Sequence, residues 1–152
     1  HPFKLRRRVR IPYRVPIKHT MKLYIAVLDE VPDHMVPVLV AHAVLGAHLI
    51  FGQNRYELNG PRPLYPDYYS WLDDSFKKVV LKVNRKEFDK ISVLENVYLA
   101  HENTTLNGEK SCAVVCPRTE YPNVIKFAKM WKPTYTPSVV DLIVNPKGFD
   151  NT

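Results

Sequence analysis

Five side chains have the types that move protons and donate hydrogen bonds: His42, His101, Glu102, Thr104 and Thr105. An imidazole titrates near neutral pH, so His42 and His101 are candidates to accept a proton. Glu102 follows His101 directly, and two threonine hydroxyls come shortly after it. His42 and His48 lie six residues apart on different faces of one expected helix, which excludes a shared metal. No Cys/His cluster has ligand spacing, no glycine loop suits a phosphate, and there is no Gly-x-Ser-x-Gly turn. The candidate set is therefore His42, His101, Glu102, Thr104 and Thr105, with no metal and no cofactor.

A second group has types that suit nucleic acid. Tyr65, Tyr68, Tyr69 and Trp71 cluster near Arg62, Lys77 and Lys78. Such rings can stack on bases while the cations hold phosphates; equally, Trp71 and one or two tyrosines can cover the edge of the core. Upstream, residues 1–20 hold seven of the 22 basic residues, among them Arg6, Arg7, Arg8 and Arg10, and no acid. The other 15 basic residues balance the 15 acids, so this arm carries the whole net charge of +7. A basic arm is drawn to polyanions. Three readings stay open for it: an RNA contact, a leader upstream of a start at Met21, or a processed targeting segment.

The elements that must position these residues follow from pattern. Residues 21–28 (MKLYIAVL) are apolar almost throughout and read as a central strand. Val36–Phe51 (VPVLVAHAVLGAHLIF) reads as a helix with small residues at Ala41, Ala43, Gly46 and Ala47 that let it approach a sheet closely. Asp33 is the expected cap, with Pro37 tolerated in the first turn. Residues 67–75 suggest a short helix and 77–83 a second strand. Asn84 with Glu87 is a capping box, which predicts a helix over 85–95 with Phe88, Ile91 and Leu94 or Val93 inside. Residues 97–105 and 110–116 read as strands joined at Asn107-Gly108, a hairpin signal. Thr119 is the expected cap of a last helix whose stripe is Val124, Phe127, Ala128 and Trp131, ended by Pro133. Residues 139–144 suggest an added edge strand.

These elements predict an α/β fold: a single three-layer domain over residues 21–132, with a four-stranded mixed sheet and helices on both faces. Residues 1–20 form an arm and 133–152 a proline-containing tail. Thirteen prolines against five glycines place extended chain at both ends and over 61–66. The longest apolar run is interrupted by His42 and His48 and reads as too short to span a membrane. Cys112 and Cys116 sit four apart on an expected strand, too far apart to bond, which predicts buried free thiols and a reducing, cytoplasmic setting.

The order of elements and several short words resemble the type II peptidyl-tRNA hydrolases of archaea and eukaryotes. The words are Ala41-His42-Ala43 followed by Val44-Leu45-Gly46-Ala47, Trp71 ahead of Lys78-Val79-Val80-Leu81-Lys82-Val83, and the strand ending at Pro117. The resemblance covers roughly residues 21–132. It implies tRNA or another RNA as partner, no membrane, and hydrolysis of the ester of peptidyl-tRNA or a related aminoacyl ester; a second copy of the chain is among the expected partners. In that chemistry His42 or His101 takes the proton of the attacking water. Glu102 orients the imidazole or acts itself, and Thr104 and Thr105 donate to the carbonyl oxygen. The RNA contacts implied are Arg6, Arg7, Arg8, Arg10, Arg62, Lys77, Lys78, Tyr68 and Trp71. Two places depart from the family: Met35 and Leu39 stand where a lysine and a glutamine are usual, and no Asp-Ala-Gly precedes Thr104. The alternative on the same fold is an RNA- or protein-binding module without turnover.

Overall fold

A computed structural model describes residues 20–52, 65–102 and 109–132. Among these, the elements in chain order are β1 (Lys22–Leu28), α1 (Val36–Phe51), α2 (Pro66–Ser70), β2 (Lys77–Val83), α3 (Arg85–Ser92), β3 (Val97–Glu102), β4 (Glu109–Val115), α4 (Asn123–Lys126) and β5 (Lys129–Met130). They form an α/β fold around one mixed sheet of order β3-β4-β1-β2-β5. β1 pairs in parallel with β2, while β4 is antiparallel to both β1 and β3, so β1, β2 and β3 all run the same way.

The connections dictate where the helices go. β1 reaches β2 by stepping one way across the sheet through α1, and β2 reaches β3 by stepping back through α3. Right-handed crossovers in opposite directions put α1 and α3 on opposite faces. β1 lies in the middle and is covered on both sides: Leu23, Ile25, Ala26, Val27 and Leu28 are all buried. That explains its nearly unbroken apolar sequence.

α1 buries Val36, Leu39, Ala43, Ala47 and Phe51, a stripe at helical spacing. Ala43 and Ala47 are fully buried, and Gly46 lies against the ring of Tyr98 on β3, so small residues do bring the helix close. Asp33 does not cap this helix. It opens a single 3-10 turn, Asp33–Met35, and the α-helical N-cap is Met35 with Pro37 in the first turn. With that turn added, Asp33–Phe51 is long and apolar enough to cross a membrane by length and composition, contrary to the sequence expectation. Its buried stripe faces the sheet, while Val38, Leu45, Leu49 and Ile50 on its other side are exposed.

α3 begins with the expected capping box: Asn84 Oδ1 accepts from the Glu87 N–H at 2.8 Å, and Glu87 Oε1 accepts from the Asn84 N–H at 3.1 Å. It buries Phe88 and Ile91. It stops at Ser92 rather than 95, and the chain turns through Asn96 at φ 56° into β3.

Among the described residues the sheet has five strands, not four, and the discrepancy lies at the β2 edge. The expected helix capped by Thr119 is only Asn123–Lys126, with Pro122 before it, and Phe127 is 80% exposed rather than in the core. The chain then pairs with β2 in the register Leu81↔Met130 and Lys82↔Lys129, and Trp131 N–H donates to the Val80 carbonyl at 2.9 Å. Without β5 that edge of β2 would present unpaired backbone groups. Satisfying them outweighs extending a helix too short to repay its nucleation. Cys112 and Cys116 are both buried and free, with Cys116 one residue beyond β4. The Asn107-Gly108 turn and residues 139–144 lie outside the described residues, although the strands flanking that turn, β3 and β4, are antiparallel neighbours.

Candidate functional site

Three parallel strands collect their following residues at one end of the sheet. Asp29 follows β1, Asn84 follows β2, and His101 and Glu102 close β3. Asp29 N–H donates to the Val83 carbonyl at 2.8 Å, which ties the ends of β1 and β2 together. In sheets of this kind ligands bind in the crevice at the carboxyl ends of the strands. α1 starts over the same end, since a crossover to a parallel strand must run back along the sheet.

His101 is exposed and forms the end of β3 with Glu102, whose Cα pairs with Glu109. A β-bulge lies just before it: Ala100 pairs with Cys112 but His101 pairs with Lys110, leaving Ser111 as the extra residue. Bulges re-aim the side chains that follow them and recur beside active sites. Ser111 is buried, and its hydroxyl is 3.5 Å from the Ala100 carbonyl. Sequence pattern did not single it out, because a lone serine between Lys110 and Cys112 in an expected strand carries no distinct signal.

His42 is exposed on the second turn of α1, not packed between helix and sheet, because the buried stripe passes through Leu39 and Ala43. α1 packs on β3 as well as β4 and β1, so His42 and His101 belong to neighbouring elements. Thr104 and Thr105 lie outside the described residues, as do Arg6, Arg7, Arg8, Arg10 and Arg62. Leu39, at the place where the family resemblance expects a glutamine, is buried in the core.

The remaining RNA candidates lie elsewhere. Lys77 and Lys78 open β2, at the amino end of the parallel strands, while His101 and Glu102 close β3 at the carboxyl end. A strand of this length separates the two groups by about 20 Å along the sheet. Tyr68 and Trp71 are buried, and the Trp71 indole N–H donates to the Lys77 carbonyl at 2.7 Å, so their faces are spent on the core. Burial, followed by the nearby Cys116 and Tyr69, pushes the Tyr68 phenol up to about 12; its hydroxyl lies 2.8 Å from His48 Nδ1.

Lys78 belongs to a third arrangement. After α2 the chain makes a π-helical turn, Trp71–Ser75, which ends at Phe76 in the left-handed region at φ 55°. Lys78 Nζ donates to the Phe76 carbonyl at 2.7 Å and lies 3.1 Å from the centroid of its ring. Partial burial lowers its pKa. Beside it runs an apolar groove of about 310 Å³ lined by Ala41, Leu45, Leu72 and Phe76, among others. The Lys78 ammonium therefore already has a carbonyl and an aromatic face as partners, and the surface next to it is apolar.

No group of three or more potential metal ligands comes together among the described residues. No protein-family model matches the chain, and no curated protein matches it.

Proposed function

We propose that this chain is a type II peptidyl-tRNA hydrolase-like domain that acts on an acyl ester carried by tRNA, with its chemistry at the carboxyl end of β3. The observation that carries the reading is the seating of the Ala41-His42-Ala43 helix. Ala43 and Ala47 are fully buried, and Gly46 meets Tyr98 on the strand that ends in His101 and Glu102. The word that carries the family resemblance thus packs beside the strand bearing the candidate acid–base pair.

In this reading His101 takes a proton from water as that water attacks the ester carbonyl, and Glu102 orients the imidazole or acts in its place. Thr104 and Thr105 donate to the developing oxyanion. His42, exposed on α1, is the alternative base. The test is release of the acyl group from an N-acetylated aminoacyl-tRNA by the purified chain. Turnover is expected, falling by about 10²-fold or more in His101→Ala, the range of one general base. A wild-type chain without turnover refutes the hydrolase.

A second reading, an RNA-binding module without turnover, is favoured by one observation. Leu39 occupies the family's glutamine place with a buried side chain, and Met35 is the helix N-cap where a lysine is usual. Binding of RNA that weakens steeply with salt, without ester cleavage, is the outcome this reading expects.

A further inference from the structure

Beside the carboxyl ends of β1 and β2 lies a recess of about 460 Å³, lined by Asp29, Lys82, Asn84, Glu87, Phe127 and Lys129. Two of its features break the ordinary rules of a sheet surface. Lys82 and Lys129 face each other directly in the β2–β5 register, a like-charge pair that costs stability. Neither is in an ion pair among the described residues, and the adjacent Arg85 is held by Glu30 at 2.6 Å. Phe127 is 80% exposed and lines the same recess as both lysines. A lysine on an edge strand is a usual guard against edge-to-edge pairing, which accounts for Lys129. It does not account for Lys82, whose strand is covered by β5, nor for Phe127.

The two carboxylates in the lining differ. Glu87 is turned to the helix cap, where it accepts from the Asn84 N–H. Asp29 is exposed on the rim, its backbone fixed to β2. A free carboxylate there repels a bare polyanion but accepts hydrogen bonds from ribose hydroxyls or a base amino group.

We propose that this recess seats one nucleotide of single-stranded RNA, with its base on Phe127, its phosphate between Lys82 and Lys129, and Asp29 as acceptor for its ribose or base edge. An aromatic platform beside cations is how sequence-tolerant single-strand binding is built. The site deepens the RNA-directed function proposed above and rests on it. It also moves the RNA contact from Lys77 and Lys78 to the end of the sheet that carries His101.

The experiment titrates a short fluorescein-labelled RNA of mixed sequence with the full chain and reads anisotropy at several salt concentrations. Phe127→Ala weakens binding about 5- to 150-fold, the worth of one stacked base, while Phe127→Tyr retains it. Lys82→Ala with Lys129→Ala lowers the salt slope by about 0.7, the contribution of the one single-strand phosphate they share. Inorganic polyphosphate, which has no base, competes weakly. Wild-type RNA affinity in Phe127→Ala, or polyphosphate competing as well as RNA, overturns this seat and leaves the RNA-directed reading standing. Absence of RNA binding by the wild-type chain overturns both.

Discussion

Replacing Gly46 by alanine sets two effects of opposite sign against each other. In a helix interior alanine is better than glycine by about 1 kcal/mol. A Cβ at position 46, however, would lie 2.7 Å from Cζ and 2.8 Å from Cε1 of Tyr98, and would also meet its hydroxyl. Carbon atoms settle at about 3.5–4.0 Å, so ring or helix must give by about 1 Å. The ring stands on β3, whose backbone is fixed by the ladder to β4, and lifting α1 would open the contacts of Ala43 and Ala47. Overpacking of this kind costs about 1–3 kcal/mol. The net expectation for Gly46→Ala is a loss of roughly 0–2 kcal/mol and a Tm lower by up to several degrees. The coupling is the sharper readout. On a Tyr98→Leu background the ring is gone, and the same substitution should stabilise by about 1 kcal/mol. Urea denaturation of the four proteins then gives a coupling energy of about 1–3 kcal/mol. Should Gly46→Ala stabilise equally in both backgrounds, α1 is not seated on β3 through Gly46. The juxtaposition of the Ala41-His42-Ala43 helix with the His101 strand then fails with it.

Two further outcomes test other parts of the molecule. Asn84→Ala removes the acceptor for the Glu87 N–H at the start of α3 and should cost about 1 kcal/mol in urea denaturation, with far-UV dichroism otherwise retained. Stability should fall at alkaline pH. Burial raises the thiols of Cys112 and Cys116 to about 11 and about 12, and the Tyr68 phenol to about 12. The unfolded chain releases these protons first, from about pH 9 for the thiols and 10 for the phenol. Stability is therefore unaffected by these groups below pH 9 and declines as pH rises towards 12, by up to about 1.4 kcal/mol per pH unit for each group. Melting temperatures from pH 7 to 11 measure this; a flat profile contradicts it, and Cys112→Ala with Cys116→Ala should flatten the thiol part of the slope.

Much of the fold was legible because its signals are local. The end of α1 at Phe51 could be read from one largely apolar segment, and the start of α3 from two residues three apart that satisfy each other's backbone. The end of the domain was not legible for a physical reason. Val124, Phe127, Ala128 and Trp131 have helical spacing, but what decides their conformation is the open edge of β2, some 50 residues earlier in the chain. Backbone groups awaiting partners on a distant strand leave no mark in the local pattern. The same holds for Asp33, a good cap by type, which the 3-10 turn moves two residues upstream of the α-helical N-cap.

The site was legible in type but not in place. Sequence spacing left two readings for Trp71 and Tyr68, a surface for bases beside Lys77 and Lys78 or a cover on the edge of the core, and burial makes both rings core. It put Phe127 in the core, where the structure exposes it. Aromatic residues in elements of four or five residues carry too little periodicity to tell inside from outside. Strand direction, which no short word encodes, decides the rest. Because β2 and β3 run the same way, the residues that open β2 and those that close β3 are held at opposite ends of the sheet. An ester held beside His101 and an RNA strand held by Lys77 and Lys78 would have to span that length. A nucleotide seated on Phe127 between Lys82 and Lys129 lies at the same end of the strands as His101 but at the opposite edge of the sheet, β5 against β3, so an RNA serving both sites would have to cross about 19 Å of that end, four strand spacings.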